Sequence, residues 1–168
     1  PFGDYAYADR LGPMLAGVPV IIPLAWAMMS YPALLAARRL VRGPLLTPVV
    51  GAIALASWDL FLDPQMVGEG YWTWSDLGWT LPGIPDIPLQ NFLGWLLAAI
   101  GLMALLNLLP RKVATDGVPT LLLSWVYFSS VLANLVFFGR PGVALWGAVC
   151  MGAVVIPYLW RTWSQPRW

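Results

Sequence analysis

LQNFLGWLLAAIGLMALLNLL, residues 89–109, followed at once by Pro110-Arg111-Lys112, decides the fold. The stretch carries no Asp, Glu, Lys or Arg and stops at a proline and two basic residues. About 20 such residues wound as a helix match the thickness of a bilayer's hydrocarbon layer. Working outward, four more stretches read the same way: residues 14–35, 46–62, 118–138 and 143–160. The first holds Pro19, Pro23 and Pro32, which predicts a kinked helix. The expected fold is all-α, a polytopic transmembrane bundle of about five spans in a single domain.

The whole composition agrees. Of 168 residues 60% are apolar and 10% charged, with a mean hydropathy of +0.72. An ordinary soluble domain is about 25% charged. A core cannot hide this much apolar surface, so lipid must solvate part of it. The net charge of +1 gives no footprint for nucleic acid. The single cysteine, Cys150, sits in an apolar stretch and reads as a packing residue. There is no histidine, which removes the commonest metal ligand and general base. No glycine-rich nucleotide pattern appears. The expected cofactor set is therefore empty, with no metal, flavin or nicotinamide. Carboxylates and aromatics are left to carry any chemistry.

Basic residues orient the spans. Arg38, Arg39 and Arg42 follow the first, Arg111 and Lys112 the third, and Arg161 and Arg167 the fifth. Alternation puts all seven on one side, expected to be the cytoplasm, in a multi-pass protein of the cell's inner membrane. Asp4, Asp9, Asp63, Glu69, Asp76 and Asp86 map to the opposite side, and Asp116 to the basic side. The longest loop, residues 63–88, has no Lys or Arg and holds Tyr71, Trp72, Trp74 and Trp79. It reads as an ordered cap at the non-cytoplasmic interface, where Trp and Tyr prefer to sit.

Ser57-Trp58-Asp59-Leu60-Phe61-Leu62-Asp63-Pro64 carries the strongest chemical signal. Asp59 and Asp63 are spaced to share a helix face. A carboxylate at membrane depth must carry a proton or hold a partner. One reading makes the pair a proton donor. The plainer reading ends the span at Asp63, before Pro64, and pairs Asp59 with Arg10. By depth alone, Trp58 and Asp59 share a layer with Asn91 and Trp95 of the third span and Asn134 of the fourth. The segment Phe2-Gly3-Asp4-Tyr5-Ala6-Tyr7 precedes the first span on the same side. Polar and aromatic groups from four spans are thus expected to converge under the Trp-rich loop, the usual form of a small-molecule pocket. Gly17, Gly94, Gly101, Gly147 and Gly152 read as close-packing positions.

Several of these blocks together resemble a family. Phe2-Gly3-Asp4-Tyr5-Ala6-Tyr7, Leu11-Gly12-Pro13, Gly17-Val18-Pro19 and Ile22-Pro23-Leu24-Ala25-Trp26 are similar to segments of the membrane-bound carotenoid biosynthesis proteins that include the carotenoid 1,2-hydratases. So are Trp58-Asp59-Leu60, Leu62-Asp63-Pro64, Trp72, Trp74 and Pro88-Leu89-Gln90-Asn91-Phe92-Leu93-Gly94-Trp95. Members usually carry further hydrophobic sequence, with an acidic residue, ahead of the Phe2 block. The sequence thus reads either as lacking an amino-terminal part or as a reduced homologue.

The resemblance implies a hydro-lyase reaction, the addition of water to the terminal double bond of an acyclic carotenoid. It implies Asp59 and Asp63 as catalytic carboxyls and Tyr5, Tyr7, Trp26, Trp58, Trp72, Trp74, Asn91 and Trp95 as the substrate-binding set. The partners are then an acyclic carotenoid and membrane lipid. A cyclase using the same protonation and a non-catalytic pigment-binding or accessory subunit of a larger complex are the other readings.

Overall fold

A computed structural model describes residues 2–110 and 116–164. Five long helices dominate it: α1 (Ile21–Leu40), α2 (Leu46–Gly68), α3 (Leu89–Asn107), α4 (Gly117–Leu132) and α5 (Pro141–Ser164). A π-helical turn, Ala133–Phe137, prolongs α4. Each of the five, α4 together with this turn, is long and apolar enough to cross a membrane. Short strands fill the connections at one end: β1 (Tyr5–Tyr7), β2 (Met14–Leu15), β3 (Val18–Pro19), β4 (Trp72–Trp74), β5 (Thr80–Leu81) and β6 (Ile84–Pro88).

The first helix starts later than the hydropathy of residues 14–35 predicts. Met14–Leu15 and Val18–Pro19 form a small antiparallel hairpin, turned through Ala16 and Gly17, both with positive φ. Gly17 thus serves a turn rather than a helix contact. Pro19 lies in β3 and frees no helical carbonyl. Pro23 sits in the first turn of α1, where a missing N–H costs nothing. Only Pro32 remains inside that helix.

The second helix runs on past its expected end at residue 62. It passes through Pro64 and stops at Gly68. Asp63 therefore does not terminate a span. The third and fifth helices lie within a few residues of their expected bounds.

α2 is the core of the bundle. Its Ala52, Ala54, Leu55, Ala56 and Ser57 have no exposed surface. Small residues let neighbouring backbones approach closely, the device that replaces the hydrophobic effect between membrane helices. A side chain at Gly51 would meet Met103 of α3. One at Gly147 of α5 would run into the ring of Phe61, and one at Gly152 into the hydroxyl of Tyr127. Gly101, by contrast, faces open space and is no packing site. α3 and α4 turn large apolar side chains outward, among them Leu97, Leu105, Leu121, Trp125 and Phe128.

Arginines tie the helices together at the end opposite the strands. Arg38 donates to the carbonyls of Leu106, Asn107 and Leu109 and to the Asn107 side chain. These acceptors lie in the last turn of α3 and just beyond it, where helical carbonyls run short of backbone donors. Arg161 does the same for α1 through Arg39 and Leu40. Arg39 and Asp116 form an ion pair at 3.6 Å. The basic residues of α1 and α5 and Asp116 thus share one end, as alternation of the spans requires. Arg111, Lys112 and Arg167 lie outside the described residues.

Which end faces the cytoplasm is a matter for labelling. Single cysteines in a Cys150→Ser background should react with an impermeant reagent from outside in the loop between Glu69 and Asp76. A cysteine at position 111 should react only after permeabilisation. The reverse pattern would overturn the charge-based orientation.

Candidate functional site

At the strand end, the amino-terminal segment and the long loop form one structure. β1 pairs with β4 antiparallel, with Tyr5 opposite Trp74 and Tyr7 opposite Trp72. Alternation along a strand then puts both tyrosines and both tryptophans on one face, with Ala6 and Thr73 on the other. The rings pack against each other: Tyr5 and Tyr7 edge to face at 5.0 Å, Tyr5 and Trp74 at 5.7 Å, Tyr7 and Trp72 at 5.9 Å. The Tyr5 and Tyr7 hydroxyls hydrogen-bond at 3.1 Å. The Trp74 indole donates to the Phe2 carbonyl at 3.1 Å. This aromatic face closes the top of a cavity.

α1, α2 and α3 supply the walls. The cavity measures about 240 Å³ and is strongly apolar. α2 contributes Trp58, Asp59, Leu62, Asp63 and Met66. These positions repeat at three- and four-residue steps, one stripe of a helix. α3 contributes Asn91 and Trp95, one turn apart; α1 contributes Trp26 among Ile21, Ile22, Ala25 and Met28. Trp26 and Trp95 face each other at 4.5 Å, and Phe2 lies 4.7 Å from Trp95. All ten residues that the resemblance implies as catalytic or substrate-binding line this one cavity.

Asn134 does not. It is buried in the π-helical turn, where its side-chain amide donates to the Ser130 carbonyl at 2.9 Å. The convergence thus draws on three helices and the cap, and α4 stands apart from it. The apolar lining at Leu11, Ile22, Leu62 and Met66 was not assigned to the site from the sequence, although the first three stand in blocks that carry the resemblance. For Leu62 and Met66 the signal existed, since both continue the helical stripe that starts at Asp59.

The two carboxyls are differently held. Asp59 is 3% exposed and Asp63 6%. Asp63 Oδ2 accepts a 2.6 Å hydrogen bond from Asn91 Nδ2, and the Trp72 side chain is a second partner. Asp59 Oδ2 is buried without a hydrogen-bond partner among the described residues. Arg10 is not its counter-ion. That guanidinium bonds the Glu69 carbonyl and lies over the Tyr71 ring at 4.6 Å. Burial, with the hydrogen bond to Tyr5 next in effect, pushes the Tyr7 phenol above its ordinary value, so it stays neutral.

Five membrane-length helices, three of which wall an apolar, ligand-sized cavity that holds a carboxyl pair, fit a multi-pass membrane protein with a candidate small-molecule site. The chain belongs to the carotenoid biosynthesis protein family, whose pattern it matches over residues 1–159. It is 32% identical over 103 residues to bisanhydrobacterioruberin hydratase of Haloarcula japonica, a match that covers 58% of this chain and 33% of that protein. The matched stretch thus spans about a third of that relative's length. No solved structure gives a significant match.

Proposed function

We propose that the protein hydrates the terminal double bond of an acyclic carotenoid, without a cofactor. The observation that carries this reading is a pair of buried carboxyls, one with an oxygen that has no hydrogen-bond partner among the described residues, in the wall of an aromatic cavity. The family and the printed activity of the Haloarcula relative point the same way.

The chemistry follows from the residues. An unpaired carboxylate at this depth costs several kcal/mol, so Asp59 is read as the neutral acid. It gives its proton to the less substituted carbon of the terminal alkene, and a tertiary cation forms at the other. Trp58, Trp95 and Tyr7 present π faces or a neutral phenol to that cation, an attraction that strengthens away from water. A water molecule adds to the cation, and the proton it sheds passes to Asp63. Asn91 holds Asp63 in place and orients the water. The product is a tertiary alcohol, and atoms and charge balance.

Size suits an end group. A whole carotenoid runs about the ~30 Å of the hydrocarbon layer, whereas the cavity holds about 240 Å³. The chain's end would sit under the aromatic cap, with the polyene along the lipid-facing side of α1. Ile21 and Met28, which line the cavity, are each about half exposed on that side.

The test is the mass spectrum of carotenoids from a host that supplies an acyclic carotene, with and without the gene. The expected product is heavier by one water per end acted on. A ring formed with no change of mass would instead make the protein a cyclase. An unchanged carotene would leave a pigment-binding or accessory subunit. Purified protein is expected to keep full turnover in chelator and without flavin or nicotinamide. Loss on chelation, restored by a metal ion, would overturn the cofactor-free chemistry.

A further inference from the structure

Behind the carboxyl pair lies a second, much smaller cavity of about 10 Å³, the scale of a single water molecule. Asp59 and Asp63 line it as they line the aromatic cavity, so the pair stands between the two. Its other walls are apolar side chains of α2, α3 and the β5–β6 hairpin, among them Leu81, Ile84 and Phe92. An apolar void of this size stays dry, but a water with two to four polar partners is held.

Three partners are present. Asp59 Oδ2 is buried and has no hydrogen-bond partner among the described residues. Asp63 is the second. The third comes from Pro64, which also lines the void and has no N–H to give the Leu60 carbonyl one turn earlier. Leu60 itself borders the same space. The proline within α2 thus withholds the usual helical donor from a carbonyl in the same stretch of wall.

We propose that this annex binds one water molecule shared by Asp59, Asp63 and the Leu60 carbonyl, and that the water returns the proton between the carboxyls after each turnover. The return step rests on the hydratase reading; the water site does not. After one reaction Asp59 has lost a proton to the alkene and Asp63 has gained one from the attacking water. The annex water accepts the proton of Asp63 as it donates one of its own to Asp59. No net proton is exchanged with solvent, and the aromatic cavity need not open to water for the acid to be restored.

Infrared spectra of the purified protein, exchanged between D2O and D2¹⁸O, test the site without substrate. The expected result is a water O–D band from a buried molecule that shifts with ¹⁸O. It should move in Asp59→Asn and vanish in Leu81→Phe, which fills the void. Pro64→Ala restores a helical donor to Leu60 within a helix that already runs through this position; there the band should shift toward weaker hydrogen bonding. In turnover, Leu81→Phe should complete its first reaction at near wild-type rate and then fall in steady state by roughly 10²-fold, the scale of a lost proton-transfer step.

A band indifferent to all three substitutions would overturn the site. A Leu81→Phe protein that loses the band yet keeps wild-type steady-state turnover would overturn the return step. A band that responds as expected in a protein that hydrates no carotenoid would uphold the site and overturn the hydratase reading instead.

Discussion

Asp59→Asn is expected to reach wild-type levels in the membrane and to make no detectable hydroxylated carotenoid. Asparagine matches the shape of a neutral carboxylic acid and keeps an acceptor and a donor, but its amide proton is not transferable. The side chain is 3% exposed and no cation sits against it among the described residues, so the substitution removes no ion pair. Positioned proton transfer contributes roughly 10²–10⁴-fold to a rate, and here it is the step that creates the cation. Loss of that size would put product below detection in a pigment extract. The measurement is product per molecule of membrane-inserted protein. Full product at normal abundance would remove Asp59 as the acid. Poor abundance with normal product per molecule would make its role structural.

The fold was legible where composition decides it. Residues 89–109 contain no charged side chain, and helix α3 covers nearly the same stretch. The start of α1 was not legible, because hydropathy cannot separate an apolar hairpin from an apolar helix. Met14, Leu15, Val18 and Pro19 score alike in either form, and the difference lies in the positive φ at Ala16 and Gly17. Pro64 misled in the opposite sense. A proline near a helix end usually closes it, but α2 is packed on several sides and carries on for another turn.

The site divides in the same way. Depth and the four-residue spacing were enough to bring Asp59, Asp63, Asn91 and Trp95 to one level, since a helix fixes both from sequence alone. The pairing of Tyr5 and Tyr7 with Trp74 and Trp72 depends on contact between segments far apart in the chain, which no local pattern encodes. Asn134 shows the limit of arguing from depth. It lies at the cap end of α4 as expected, but its rotation about that helix turns it to Ser130 and away from the cavity. The second cavity was invisible to the sequence, because it arises where three separate elements fail to fill the space beside α2.

Asn91→Leu is expected to cost both stability and turnover, and a second substitution should separate the two. Asn91 is 1% exposed and its Nδ2 donates to Asp63 Oδ2 at 2.6 Å. Leucine has similar bulk and no donor, so Asp63 keeps only its contact with Trp72. A hydrogen bond to a charged group is worth about 1.5–3 kcal/mol, and leaving its acceptor buried adds a desolvation cost. Unfolding in mild detergent should therefore begin at clearly lower temperature or denaturant. Turnover should fall with it, because an Asp63 that is no longer held cannot take the proton from the attacking water in a fixed geometry. The double variant Asn91→Leu with Asp63→Leu removes the acceptor as well as the donor. Replacing both partners by apolar groups is close to neutral for stability, so the double variant should regain most of the lost stability and none of the activity. With the Asp63→Leu single variant added, the cycle gives the coupling energy between the two side chains. Additive losses would mean that Asn91 and Asp63 act independently. Recovery of turnover in the double variant would remove Asp63 from the chemistry and leave Asp59 as the only carboxyl the reaction uses.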